Sequence, residues 1–426
     1  MAISSATRWV GRVHTSWPVE HLRNHGVHLV VILALVAYPG FYHALTNSPL
    51  SAEAVAVLPR MPTMIALLYF GLFAMSFDFI SGYTGYLSFG HAAFYGTGAY
   101  FVILVANGKV PLLPPGTPFM VSLLLAGILA ALLALAIGLV SFRLSGVYFA
   151  MITLGFSQVM YVFIRGWDYV ASNPRDGPTV GSTHSEGFEI GVPYVDQLNL
   201  AIGSFSGEEV ALFGHTLGTY TTSFYMVGIV VLVSYFALQR IVHSPFGRVM
   251  VAIRDNEERA EAVGYNTLVY KLGAFVISGF FGGIAGGLFA GYARSVTPEN
   301  TFYFLTAGDA LLASIIGGFG TLAGPLYGHL FDETIREFLS NAGLGGGLLP
   351  YLRQRLGEGV LGTEIFGGLT VEGLITAALN GHAALYVGIV FILFVLYLPN
   401  GILGTLREWL GGPVSKRVPE LLRGLR

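Results

Sequence analysis

Apolar residues run along this chain in stretches of helical length, separated by short connections rich in glycine, proline or charge. A helix that crosses a bilayer needs about 20 consecutive, mostly apolar residues. On that measure the pattern predicts spans near 27–45, 62–80, 86–106, 118–140, 144–165, 222–241, 268–291, 302–317, 322–339 and 382–403. The fold class predicted is an all-α integral membrane protein of about ten transmembrane helices. The ninth run is the weakest, because Asp332, Glu333, Arg336 and Glu337 charge its second half. It is expected to be short, with a polar end outside the hydrocarbon.

Composition agrees with that reading. Of 426 residues, 54% are hydrophobic and 11% charged, where soluble domains carry about 25% charge. The net charge of −2 gives no sign of nucleic acid as a partner. The absence of cysteine excludes disulfides, thiol catalysis and cysteine-bound metals. Residues 1–26 hold Arg8, Arg12 and Arg23 ahead of the first apolar run, and no small-residue cleavage site follows Leu45. An uncleaved first span is therefore expected.

Orientation follows from the basic residues of the short loops. Ten spans put Arg143, then Arg240, Arg248, Arg254 and Arg259, then Arg407, Lys416, Arg417 and Arg423 on the same side as the N-terminal arginines. That side is expected to be the cytoplasm, with both termini on it. The chain then divides into a cytoplasmic segment 1–26, a transmembrane domain 27–404 and a cytoplasmic tail 405–426. Loops 166–221 and 340–381 fall outside, and a polar segment 243–267 falls inside.

Glycine breaks the apolar runs in three places. In "KLGAFVISGFFGGIAGGLFAGYARS", Gly279, Gly283, Gly287 and Gly291 recur every four residues, beside a second row of Gly282, Gly286 and Ala290. Residues four apart share a helix face, so one side of this helix is almost bare backbone. The six glycines from 279 to 291 cost about 5 kcal/mol in helix propensity. Close helix packing in lipid is expected to offset that cost. "SGYTGY", Ser81 to Tyr86, is too glycine-rich for a regular helix, and broken backbone at membrane depth must be buried by protein or line a cavity. "IIGGFGTLAGPLYG", Ile315 to Gly328, reads as a tight hairpin between two half-length segments.

The segment "HSPFGRVMVAIRDNEERAEAVGYNTLVYK", His243 to Lys271, carries a helical apolar face of Val249, Ala252, Ile253, Ala260 and Val263. Asp255 or Asn256 is placed to cap a second short helix, with Glu258 and Glu261 near its positive end and Gly264 to end it. A charged, amphipathic helix-turn unit between two spans reads as a docking surface for a soluble partner, or as a solvated loop on the headgroups. Its "SPFGRVMVAIRDNEERAEAVGYN" resembles the coupling region of permease subunits in the high-affinity branched-chain amino acid ABC importers, the LivM/LivH type. "GYTGYLSFGHAAFYGTGAY", "VTPE" at Val296 to Glu299 and "GGFGTLAGPLYG" resemble other motifs of that family in the expected order. Loops 166–221 and 340–381 are longer than its pattern.

The resemblance implies a type II ABC importer permease fold, working with a second, LivH-type permease, two ABC ATPase subunits, an extracytoplasmic solute-binding protein and membrane lipid. ATP and Mg would sit in the partner subunits, with no cofactor or metal in this chain. Consistently, the only Gly-Lys pair, Gly108-Lys109, is followed by valine, so no Walker A motif is present. The coupling residues implied are Arg248, Arg254, Asp255, Asn256, Glu257, Glu258, Glu261, Ala262 and Gly264. Candidates for a translocation pathway are Tyr83, Gly85, Ser88, His91, Gly96 and Asp309, because ionisable or broken positions inside a membrane are functional candidates by default. His91 could equally be a neutral histidine bonded to a carbonyl, and Asp309 could pair with a cation such as Arg294. Asp78 is expected to stabilise the "SGYTG" bend. The aromatics Tyr83, Tyr86, Phe89, Phe94, Tyr95 and Tyr100 serve either as an apolar lining or as packing. Asn173, Arg175 and Asp176 in "NPRDGPTVG" are candidates to touch the binding protein. The solute expected is a branched-chain amino acid, with urea or short-chain amides as the alternative. An ion-coupled secondary transporter working without ATPases is the competing class, and no catalytic constellation supports an intramembrane enzyme.

Overall fold

The computed structural model describes residues 17–46, 58–114, 117–180, 210–212, 215–217, 219–339, 348–366, 369–379, 383–398 and 401–405. Each predicted apolar run contains a helix. They are α1 (Trp17–Thr46), α2 (Met61–Thr84), α3 (His91–Ala106), α4 (Phe119–Ser141), α5 (Val147–Arg165) and α6 (Thr219–Val242). After the short helices α7 (Pro245–Asp255) and α8 (Glu257–Ala262) comes α9 (Thr267–Ala293). The one-turn α10 (Pro298–Thr301) leads into α11 (Phe304–Gly317) and α12 (Gly324–Leu339). Then follow α13 (Leu348–Leu361), α14 (Val371–Leu379) and α15 (Ala383–Tyr397).

Five of these, α2, α4, α5, α6 and α9, are long and apolar enough to cross a bilayer. The expected count of ten is therefore not reached by length among the described residues. Helices α3, α11 and α12 have 16, 14 and 16 residues, about 21–24 Å at 1.5 Å per residue, short of the ~30 Å hydrocarbon. The reason is local. The backbone from Gly85 to Gly90 is non-helical, and Gly318 and Gly320, both with positive φ, stop α11 before α12 begins. The all-α expectation holds for the bundle, and only its loops add a little strand. Two small antiparallel hairpins are present, Val210–Leu212 with His215–Leu217 and Glu364–Phe366 with Leu369–Thr370. Both lie in the loops expected outside the membrane.

Helix α9 is the centre of the bundle, packed on α2, α3 and α4. Its glycine rows face different neighbours. A Cβ on Gly279, Gly283, Gly287 or Gly291 would come within 2.4–2.6 Å of Ala134, Ala130, Leu123 or Phe119 of α4. In the second row, one on Gly286 would lie 1.9 Å from the Tyr95 carbonyl oxygen of α3. Gly98 answers from α3, with its own virtual Cβ 2.0 Å from the Gly283 carbonyl oxygen. Two helices thus approach α9 at backbone distance, which residues with side chains would prevent. The outer surfaces of α4 and α5 stay apolar and exposed, as at Leu124, Leu132, Met151 and Val159, as lipid-facing helices require.

Candidate functional site

The three glycine-rich or polar stretches singled out by sequence meet at one end of the bundle. Helix α2 ends at Gly85, whose φ of +80° closes the helix through its N–H to the Ser81 carbonyl. Helix α7 begins at Ser244, which caps it, with Pro245 fixing the first turn. Asn256 breaks α7 and caps α8, its Oδ1 accepting from the Arg259 N–H at 2.8 Å. Gly264, with φ +100°, ends α8.

Arg254 reaches inward from the last turn of α7, and its Nη1 donates to the Gly82 carbonyl oxygen at 2.8 Å. The Gly320 N–H donates to buried Asp78 Oδ1 at 3.0 Å, and the Leu322 N–H donates to Tyr83 Oη at 3.1 Å. A Cβ on Gly82 would lie 2.6 Å from Gly320 Cα. The end of α2, the α11–α12 turn and α7 therefore interlock through exposed backbone. Asp78 serves this junction: it holds the other turn rather than the bend of its own helix.

A second attachment lies beside the first. Lys271, buried in the first turns of α9, donates to Glu257 of α8 and to Tyr86 Oη at 3.2 Å. Its Nζ sits 4.9 Å from the centre of the Tyr86 ring and 5.8 Å from that of Phe142, so the ammonium is held by a carboxylate and two aromatic faces. Tyr86 also donates to Glu257 Oε2 at 2.6 Å. The Thr267 hydroxyl lies 3.0 Å from Glu257 and 2.6 Å from Glu261, and can donate to one of them at a time. Burial pushes the Glu257 carboxyl up, but the hydrogen bonds from Lys271 and Tyr86 outweigh it and leave the group below its ordinary value.

The residues grouped as one coupling set consequently divide in two. Arg248, Asp255, Asn256, Glu258, Ala262 and Gly264 are on the exposed face. Arg254, Glu257 and Glu261 bond to the rest of this chain, Glu257 half-buried and the other two still exposed. The apolar face divides likewise: Val249, Ile253 and Ala260 are buried, whereas Ala252 is exposed and Val263 is 73% exposed. The break at Asn256 changes the helix axis, so a stripe drawn through both helices does not stay on one face.

The expected pathway residues do not form one lining. His91 is wholly buried, its Nε2 2.6 Å from Ser278 Oγ and its Nδ1 3.3 Å from the Ser88 carbonyl oxygen. Ser278 in turn donates to the Ser76 carbonyl, so the histidine pins α3 to α9 and α2. Gly96 packs on the Phe302 ring and Ser88 is buried. Phe94, Tyr95 and Tyr100 are core aromatics. Asp309 pairs with Arg336 at 3.4 Å, not with Arg294, which caps the far end of α9 with φ 55°. Asn173, Arg175 and Asp176 are exposed on a turn. The strand-like pairing of Thr179 with Ser295 ties that turn to the far end of α9. The 27 residues of α9, about 40 Å of helix, separate it from α7 and α8.

Sequence reasoning misses Lys271 as a functional candidate and reads Tyr86 only as lining or packing. The signal was present: Lys271 is one of three lysines in the chain and stands at the mouth of an apolar run.

Comparison with known proteins bears on what such a junction serves. A family model described as "Branched-chain amino acid transport system / permease component" matches residues 62–352, well over half of the chain. The high-affinity branched-chain amino acid transport system permease protein LivM of Escherichia coli K12 is 26% identical over 302 residues, 67% of this chain and 68% of that protein. LivM of Salmonella typhimurium matches with the same figures. The ribose import permease protein RbsC of Haemophilus influenzae is 30% identical over 132 residues, 30% of this chain and 39% of its own. No solved structure matches.

Proposed function

The chain belongs to the branched-chain amino acid transport permease family, and from that premise we propose that it is one half of the gate of an ATP-driven importer. As a multi-pass membrane permease it transports rather than transforms its solute. We infer the solute to be a branched-chain amino acid or a related small amphipathic molecule, handed over by an extracytoplasmic binding protein near Asn173, Arg175 and Asp176. Urea or a short amide is the alternative. A LivH-type second permease would complete the pathway, and two ATPase subunits carrying ATP and Mg would bind beneath, on the side of both termini.

One observation supports this reading above the others: α7 and α8 turn a charged face outward while their inner face is fastened to three separate parts of the bundle. Arg248, Ala252 and Asp255 are spaced i, i+4, i+7 along the exposed side of α7, and Glu258, Arg259 and Ala262 continue it on α8. Displacement of this unit by a partner would pull on Gly82 through Arg254, on the α11–α12 turn through the Gly82–Gly320 contact, and on α9 through Glu257 and Lys271. The gate would thus respond as a packed body rather than at one loop.

The test is reconstitution with the ATPase and binding-protein subunits. Glu258→Lys with Arg259→Glu should reduce ATPase co-purification and ATP-driven leucine uptake at least tenfold, about the effect of losing 1.4 kcal/mol of association, with insertion and melting temperature unchanged. Full association and uptake in that variant would remove α7–α8 as the coupling surface. Uptake by this chain in liposomes on an ion gradient without ATPases would replace the importer reading with the secondary transporter.

A further inference from the structure

About 13 residues along α2 from Gly82, roughly 20 Å at helical rise, a second polar cluster opens between α2, α11 and α12. His329, Asp332, Glu333 and Arg336 occupy positions i, i+3, i+4 and i+7 of α12 and so share one face. Asp309 of α11 faces them. All five border a cavity of about 190 Å³. Ala66, Tyr69 and Phe70 of α2 supply its apolar wall, and the Phe70 ring packs on His329 at 4.5 Å between ring centres.

The charges here are only partly matched. Arg336 Nε donates to Asp332 Oδ2 at 2.8 Å and Nη2 lies 3.4 Å from Asp309 Oδ1. Asp332 Oδ1 has no hydrogen-bond partner among the described residues, although the side chain is only 7% exposed. A guanidinium has five N–H donors, so two bonds leave Arg336 with capacity to spare. Three carboxylates against one guanidinium around an apolar-walled cavity, with a bare buried oxygen, leave room for a cationic group, while the unused N–H donors of Arg336 can still accept an anionic one beside it. Ionisable groups at membrane depth face a water-filled cavity or one another, because hydrocarbon does not tolerate them singly.

We propose that this cleft is the intramembrane binding site for an α-amino acid zwitterion. Its ammonium lies against Asp332 Oδ1 and Glu333, its carboxylate meets Arg336, and its aliphatic side chain rests on Ala66, Tyr69 and Phe70. The assignment rests on the importer reading above and gives its solute a place in the bundle. A divalent metal fits less well, even though ligand atoms of His329, Asp332 and Glu333 lie within 4.8 Å of one another. The Arg336 guanidinium already occupies one oxygen of Asp332 and would repel a doubly charged ion. A zwitterion brings its own anion to that same guanidinium.

The chain has no cysteine, so Ala66→Cys places a single thiol of this chain at the cleft wall. In the complete complex, leucine should slow labelling of that thiol by a methanethiosulfonate reagent on the order of tenfold. Isopentylamine and 4-methylpentanoate, each lacking one charge, should not. Asp309→Asn and Asp332→Asn with Arg336→Gln removes the guanidinium together with both carboxylates it pairs with, so none of the three is left stranded; it should abolish protection and leucine uptake while ATPase association is retained. Four results would overturn the cleft assignment: no leucine protection although the parent complex imports leucine with ATP, equal protection by either singly charged analogue, protection by zinc alone, or a thiol closed to reagent under all conditions. Protection by leucine in a complex that imports none would keep the cleft and overturn the importer reading instead.

Discussion

Along α9, a Cβ added at Gly279, Gly283 or Gly286 would meet Ala134 at 2.5 Å, Ala130 at 2.4 Å or the Tyr95 carbonyl at 1.9 Å, and none of these three contacts is with a charged group. At the junction, a Cβ on Gly82 would meet Gly320 Cα at 2.6 Å and Asp78 Oδ1 at 2.7 Å, with Arg254 bonded to the Gly82 carbonyl. Both regions use glycine to bring backbones together. In the first, closeness yields dispersion contacts between apolar helices, which drive association in lipid. In the second, it exposes carbonyl and N–H groups that charged side chains of another segment can hold. On the proposed function, the α9 region would move as one body and the junction would transmit a displacement to it.

The sharpest way to break that contrast is at Gly286. Even Gly286→Ala places a carbon against a backbone oxygen that only a helix shift can move, so the loss should exceed about 4 kcal/mol. Size-exclusion profiles and thermal melts in detergent should show little folded protein. A Gly286→Ala variant that melts like the parent would mean α9 and α3 are not at backbone distance.

At the junction the expected losses are smaller, because the groups are partly hydrated. Lys271→Met or Glu257→Gln should each cost about 2–3 kcal/mol by leaving a partner unmatched, and the pair together less than their sum. Acid should mimic the second change. The Glu257 pKa is depressed in the folded chain, so its stabilisation is full above the unfolded carboxylate pKa and is lost as pH falls through the folded value. Melting temperature should therefore drop more steeply with acid in the parent than in Glu257→Gln. Parallel acid limbs would show that the carboxylate is not held by Lys271.

The places of the apolar helices were legible because apolar run length is a strong signal, although only five of them are long and apolar enough to cross a bilayer among the described residues. The stripe of α9 was legible because a four-residue repeat survives any tertiary context. What the sequence hid was which polar atoms face inward. Arg254 and Asp255 are adjacent and both charged, yet Arg254 reaches back to the Gly82 carbonyl while Asp255 stays exposed, 3.6 Å from the Arg254 guanidinium. Asp309 offered its charge but not its partner, since Arg336 comes into reach only when the α11–α12 turn folds back. The charges that weakened the ninth span, at 332, 333 and 336, form with His329 one face around a cavity, and a linear pattern registers them only as an interruption. His91, a polar residue beside a glycine turn, lies wholly in the core with Nδ1 beside the Ser88 carbonyl, in keeping with the second of its two sequence readings.

Gly264 gives the smallest expected effect and the finest discrimination. Its φ of +100° disfavours any side chain, yet a Cβ there would touch nothing within 4 Å. Gly264→Ala should therefore cost about 1 kcal/mol in backbone strain and leave the folded bundle otherwise unchanged. Within this chain the glycine is needed only to end α8, a role that predicts normal uptake once the small stability loss is allowed for. A partner subunit that approaches the backbone at this turn, as α3 approaches α9, predicts something different: ATPase association and uptake falling together by much more than melting temperature does. Measuring all three on one variant separates a glycine kept for its own turn from one kept for a neighbour, the same distinction that divides α9 from the junction inside the molecule.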